Sequence, residues 1–262
     1  MLFSTLTDYE NSGTTTNTLA TDGASLAGVL NRIENYISLD LQWHATPMTT
    51  FLIGYQYSQV NYTGDEPVAA VPTTVSHSGF LFSDSRDNRS HYGYVGFQST
   101  LLPNLVAAAK IGAQYTDDYN DPFGTTSFGP YADASLTYTY LPGCYLQLGV
   151  THTENATDVV APDASGHITQ DQESTLVFGS INHLITPKLL ASLVGSYQNS
   201  TYKDGLYNNE SDNLYSAGLN FNYAFTSHFS AELGYNYDNL TSDIPGRPYS
   251  RNRVYVGASA SY

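Results

Sequence analysis

The sequence predicts an all-β fold, a transmembrane antiparallel up-and-down β-barrel of about 12 strands (roughly 10–14), on three observations. Segments of alternating apolar and polar residues, about ten to thirteen long, recur along nearly the whole chain; a tilted membrane strand needs roughly 9–11 residues and a soluble one about half that. Short turns alternate strictly with long loops. The last stretch, Arg251-Asn-Arg-Val-Tyr-Val-Gly-Ala-Ser-Ala-Ser-Tyr262, is itself an alternating strand that ends on an aromatic. Residues 1–262 read as one barrel domain, since β-domains of this length need not divide.

Composition agrees. Only 13% of the 262 residues are charged, against the usual quarter, while 41% are hydrophobic. There are 23 Tyr against one Trp and 11 Phe, and Tyr suits places where an aromatic body meets lipid while its hydroxyl reaches water. A net charge of -15 with nine Lys and Arg argues against nucleic acid. Acidic loops on a cell surface fit it better. The single Cys144 excludes a disulfide scaffold. No apolar run is long enough for a transmembrane helix. The start, Met1 to Tyr9, lacks the basic and apolar regions of a signal peptide and already alternates like a strand. The expectation is a chain whose signal has been removed, or one that begins inside a longer protein.

In order, residues 1–9 read as a short strand, and a polar stretch follows to about Asn31 with a possible helical turn at Ala24–Leu30. Arg32–His44 alternates, with Ile33, Ile37, Leu39, Leu41 and Trp43 on one face. The turn Ala45–Thr49 leads into Thr50–Tyr62, making a hairpin. Four more hairpins repeat the arrangement after long loops: 89–116 with the turn Leu101–Asn104, 131–152 with Leu141–Gly143, 175–202 with Ile185–Lys188, and 213–240 with Thr226–His228. The loop Thr241–Ser250 delivers the final strand. Every short turn therefore lies at one end of the strands and every long loop at the other, the layout of periplasmic turns and extracellular loops. An even strand number places both termini on the periplasmic side.

The faces identify the solvent on each side. In Phe229–Asp238 the outward set is Phe229, Ala231, Leu233, Tyr235 and Tyr237, against inward Ser230, Glu232, Gly234, Asn236 and Asp238. An inward face of carboxylates, amides, Ser and Gly cannot be a dry core, because each unpaired buried polar group would cost several kcal/mol. It must be wet. The pore-lining candidates are Glu34, Asp40, Lys110, Asp133, Gln147, Glu232, Asp238, Arg251 and Arg253. Aromatics gather near strand ends at Trp43, Phe51, Tyr138, Tyr140, Tyr223, Phe225, Phe229 and Tyr262, where interfacial girdles lie.

The tail from Tyr249, with Arg-Asn-Arg leading into the closing strand, resembles the end of proteins of the β-barrel porin 2 family of Gram-negative outer membranes. Related Asn-x-x-Tyr lead-ins stand at Asn88–Tyr92, with one extra residue, and more loosely at Asp212–Tyr215. The resemblance implies a bacterial outer-membrane location, passive transport without a particular substrate, and further strands before Met1, since members are commonly longer. It also implies recognition of the strand ending at Tyr262 by the barrel-assembly machinery.

Other chemistry is thinly supported. The seven His residues are scattered without metal-ligand spacing. His77, Asp84, Asp87 and His91 could be assembled into a rim catalytic site, but nothing in the sequence fixes their geometry. Asp117, Asp118, Asn120 and Asp121 lack EF-hand spacing and read as a solvated loop rather than a calcium site. The expected function is therefore a porin-like channel for small solutes or ions, non-enzymatic and without a cofactor. Its partners are outer-membrane lipid and small solutes. Inward carboxylates outnumber inward bases, so an open lumen would prefer cations. Alternatively, Arg251 and Arg253 pair with acids on neighbouring strands and plug a narrow barrel. The alternatives are a non-conducting structural or adhesive barrel acting through its loops, and a soluble propeller, which would need four short strands per repeat rather than two long ones.

Overall fold

The structure is a computed structural model that describes residues 2–7 and 26–260. Strand β1 (Leu2–Thr7) and a short helix α1 (Leu26–Leu30) precede the first long pair, β2 (Arg32–Thr46) and β3 (Thr49–Tyr62). Next come a small ribbon of β4 (Pro67–Ala70) and β5 (Phe80–Phe82), a 3-10 turn Ser83–Arg86, then β6 (Asn88–Leu102) and β7 (Leu105–Asp117). The remaining strands are β8 (Thr126–Leu141), β9 (Cys144–Ala156), β10 (Asp171–Thr186), β11 (Leu189–Lys203), β12 (Ser211–Ala224), β13 (Phe229–Ser242) and β14 (Tyr249–Ala260). All but β4 and β5 form one 12-stranded antiparallel meander in chain order. The long strands β2 to β14 run to 12–16 residues, beyond the ten to thirteen read from the sequence, because their upper ends continue as the walls of a loop structure described below.

The local chemistry of the short turns explains their sequence. At Thr46-Pro-Met, Thr186-Pro-Lys and Thr226-Ser-His the threonine hydroxyl accepts the backbone N–H two residues on, at 3.2, 3.3 and 3.2 Å. In the first two, proline at the following position fixes φ for the turn, and in all three the hydroxyl replaces a ladder partner. At Pro142-Gly143 the glycine takes φ 76°, which a side chain disfavours.

Glycines on the concave face make room for tyrosines to lie sideways across the sheet. A Cβ at Gly54 of β3 would overlap the Tyr94 ring, whose hydroxyl crosses from β6 to donate to Asp40 of β2 at 2.7 Å. Gly234 of β13 is likewise covered by Tyr255 of β14, whose hydroxyl accepts from Asn220 of β12 at 3.0 Å. At mid-strand positions, side chains two strands apart approach most readily on the inside of a curved sheet. These contacts therefore identify the inner face.

The first and last strands are the exception to the expected closure. β1 pairs only with the upper part of β2, Arg32 to Ile37, and β14 pairs with β13, so among the described residues no ladder joins β14 to β1. Six residues of β1 cannot cover a strand of 15.

Candidate functional site

The lumen face follows from register, because residues paired across an antiparallel ladder point to the same side. Glu34 and Asp40 share the inner face of β2, with Gly54, Gln56 and Ser58 opposite on β3. Lys110 stands opposite Asp133, and Gln147 pairs with Thr137 on the same face, four residues further along β8. Glu232 pairs with Gly257, and Asp238 with Arg251. Arg253 lies beside Asn236, whose amide oxygen, with the amide turned to match its donors, accepts from the guanidinium at 3.1 Å.

Most of the inner charges have partners. Arg251 grips Asp238 through Nε at 3.0 Å and Nη2 at 2.7 Å, and Ser216 donates to the other oxygen at 3.0 Å. Arg32 pairs with Glu34 at 2.5 Å. Lys110 sits 5.0 Å above the Tyr94 ring, and Thr151 donates to Asp133 at 3.2 Å. Asp40 has the Tyr94 hydroxyl and no cation. The inner wall thus combines two close ion pairs with a polar lining of Ser, Asn, Gln and Gly.

On the outer face the apolar positions are bare, with Leu41 69% and Val256 78% exposed to what must be lipid. A lower aromatic belt includes Trp43 stacked on Phe51 with centroids 6.0 Å apart, Tyr138 beside Tyr140, and Phe225 between Tyr223 and Phe229. Tyr262 lies outside the described residues. Sequence reading missed the upper belt, in which Tyr55, Tyr57 and Tyr115 surround His91 and Tyr197 faces Tyr215. The signal was present as a second aromatic on the same face of β3, β12 and β13. Phe229 and Tyr237 of β13 are eight residues apart, a rise of about 20 Å for a strand tilted 35–45°, close to the apolar height of an outer membrane.

Above the upper belt the long loops form a packed cap. The stretch 63–88, read from the sequence as plain loop, carries β4, β5 and the 3-10 turn. Its Val68, Ala69, Val71 and Leu81 cluster with Val29 of α1 and Ile168 of the β9–β10 loop. Arg86, 1% exposed, spans the mouth: its guanidinium donates to Val29 O at 2.7 Å and Thr157 O at 2.5 Å while lying 4.5 Å over the Tyr62 ring.

The β9–β10 loop, 157–170, is the hub of this cap. His167 stacks on Phe123 of the β7–β8 loop at 3.7 Å. Thr169 donates to Asp204 O of the β11–β12 loop at 2.9 Å, and Asp158 receives Arg247 of the β13–β14 loop at 2.7 Å. Five separate segments of the chain therefore meet one loop over the lumen.

One expectation needs correction here. Asp118 and Asp121 are buried rather than solvated: Asp121 accepts Thr125 N at 3.1 Å and Thr125 Oγ1 at 2.5 Å, closing the loop on itself. Asp118 lies against Asp171, and burial, then the charges of Asp171 and Asp121, push its carboxyl well above the usual Asp range. Burial likewise raises Asp87, which gathers Tyr62 N at 2.7 Å and Asn120 Nδ2 at 3.2 Å. The rim residues do not assemble either: His91 faces outward to the Tyr55 hydroxyl at 2.7 Å, whereas Asp87 belongs to the cap.

A long-stranded meander with apolar outside, largely polar inside and aromatic belts defines an outer-membrane β-barrel fold. The chain belongs to the family described as "Putative beta-barrel porin 2", whose profile matches residues 73–262, and its location is the bacterial outer membrane. Among solved structures it is similar to the copper transporter OprC, with 11% identity and a TM-score of 0.54, covering 88% of this chain and 43% of that one. It is also similar to the FrpB iron transporter from Neisseria meningitidis, with 9% identity and a TM-score of 0.51, covering 82% and 38%. The NanC porin aligns over 88% of this chain and 94% of that one at 11% identity and a TM-score of 0.39. The chain spans less than half the length of the two transporters, and at these identities the likeness shows the fold alone. No curated protein matches it.

Proposed function

We propose that this protein is a porin-like channel for passive diffusion of small solutes and ions, weakly cation-preferring, with its outer mouth narrowed by the loop cap. The reading rests on one observation above the rest: charged, amide, hydroxyl and glycine residues dominate the concave face, with apolar interruptions at Phe178, Val194 and Leu214, and such polar groups are stable there only when hydrated or paired. Glu34, Asp40, Lys110, Asp133, Gln147, Glu232, Asp238, Arg251 and Arg253 line the proposed path. Arg32 offsets Glu34, Arg251 offsets Asp238, and Lys110 and Arg253 offset Asp133 and Glu232 in number. Asp40 is left over, so the preference for cations is small. The reading includes no catalytic role and no cofactor, and it assigns recognition by the barrel-assembly machinery to the stretch 249–262.

The packed cap favours a second reading, a barrel that does not conduct and acts through its extracellular loops. Single-channel recording of the refolded protein in a planar bilayer under a salt gradient separates the two. Steady steps with a reversal potential leaning to cations, reduced in Asp40→Asn, are expected. An anion-leaning potential overturns the preference, and a folded but silent barrel moves the function to the cap.

A further inference from the structure

Beneath the β13–β14 loop, the upper inner ends of β10 to β14 form a half-open chamber of about 370 Å³, within the range of small-ligand sites. Asp212, 5% exposed, lies in its wall. One carboxylate oxygen, Oδ2, accepts from the Tyr202 hydroxyl at 2.6 Å and from Arg247 Nε at 2.6 Å, while Oδ1 has no partner. Arg247 directs its other two nitrogens to Asp158 at 2.7 and 3.2 Å, so a single guanidinium faces two carboxylates. The chamber therefore holds one excess negative charge.

The rest of the wall is divided in two. Gln198 donates its amide N–H to Ser200 Oγ at 3.0 Å, which turns its carbonyl oxygen the other way as an acceptor. Leu214, Leu240 and Tyr249 supply an apolar side. A buried carboxylate oxygen without a donor is destabilising, and a charged N–H donor relieves it better than a neutral one. An inorganic cation would meet the charge but could not displace water from the apolar side. An anion would be repelled.

We infer that this chamber is a binding site for small primary ammonium ions with a short apolar body, the ammonium held by Asp212 and Gln198 and the chain laid against Leu214, Leu240 and Tyr249. The inference rests on the reading of the lumen as a cation-accepting path, but its test needs no conduction. Saturation-transfer NMR on the detergent-refolded full chain, titrated with n-butylammonium and separately with n-butanol, reads binding directly.

Saturable binding of the ammonium and none of the alcohol is expected, with affinity at least about tenfold weaker in Asp212→Asn, the loss of one charge-assisted hydrogen bond. Because Asp212 also anchors Tyr202 and Arg247, Leu240→Trp provides a second variant that fills the chamber without touching a charge, and it too should abolish binding. Equal binding of butanol, no saturable binding of the ammonium, or unchanged affinity in folded Leu240→Trp overturns the site. A silent barrel that still binds would defeat the channel reading alone, and a conducting barrel that does not bind would defeat the chamber alone.

Discussion

The membrane-spanning staves and the extracellular cap obey the same physics in opposite solvents. In the staves the large apolar side chains are the bare ones, Leu41, Ile53 and Val256 among them, because lipid makes no demand for burial. In the cap Val68, at 1% exposure, and Ile168 are hidden, because water surrounds that region. Polar groups reverse in the same way. They line the wet interior of the staves as Ser, Asn and Gln, whereas in the cap a few of them, Arg86 and Asp118 above all, are buried and fixed by specific partners. The staves are thus specified by a repeating pattern and the cap by individual contacts. Damage to one should leave the other largely intact.

The largest break comes from putting a charge in lipid. Leu233 stands midway along the outer face of β13, opposite Val256, and Leu233→Arg should destabilise the barrel by about 2–4 kcal/mol. Reversible unfolding by guanidinium in lipid would show it as a lower midpoint. A change below about 0.5 kcal/mol, within the range of neutral surface substitutions, would mean that this face is not lipid-exposed.

The cap should fail separately. Arg86→Met removes the guanidinium that ties Val29 O to Thr157 O, and each hydrogen bond from a charged group contributes about 1.5–3 kcal/mol. The expected outcome is rapid protease cleavage between residues 63 and 87 or 157 and 170, with the unfolding midpoint of the staves unchanged. Coupled loss of both would show that the cap is part of the barrel's cooperative unit.

A smaller, graded effect should come from pH. Asp118 has its carboxyl raised by burial and by Asp171, so the folded cap holds a proton that the unfolded chain releases near the ordinary Asp value of about 4. Above that pH the unfolded state binds fewer protons than the folded one, and cap stability falls as pH rises until the folded group also ionises. Loop protection by hydrogen exchange should therefore be greater at pH 5 than at pH 9. Asp118→Asn should flatten that slope; an unchanged slope would assign the dependence to another group.

The same contrast explains what could be read in advance. The Thr-Pro turns, the twelve-strand meander and the placement of Asp40, Glu232 or Arg253 on the side opposite Leu41, Leu233 and Val256 are local consequences of a two-residue period. A register repeated along neighbouring strands carries that period across the sheet. The cap follows no period. Nothing in Ser83-Asp-Ser-Arg86 announces that its arginine will reach residues 57 and 71 positions away, nor that Asp118 will leave water to meet Asp171. Asp158, Asp212 and Arg247 are likewise distant in sequence and adjacent only because five strand ends converge.

The sequence by itself determined the staves, their faces, their turns and the kind of solvent on each side, because alternation and turn chemistry act between residues a few positions apart. Only the tertiary structure decided how the loops fold over the mouth, which charges find partners, and where a ligand-sized chamber lies. Those outcomes depend on long-range contacts whose loop-closure entropy is offset only when several segments meet at once.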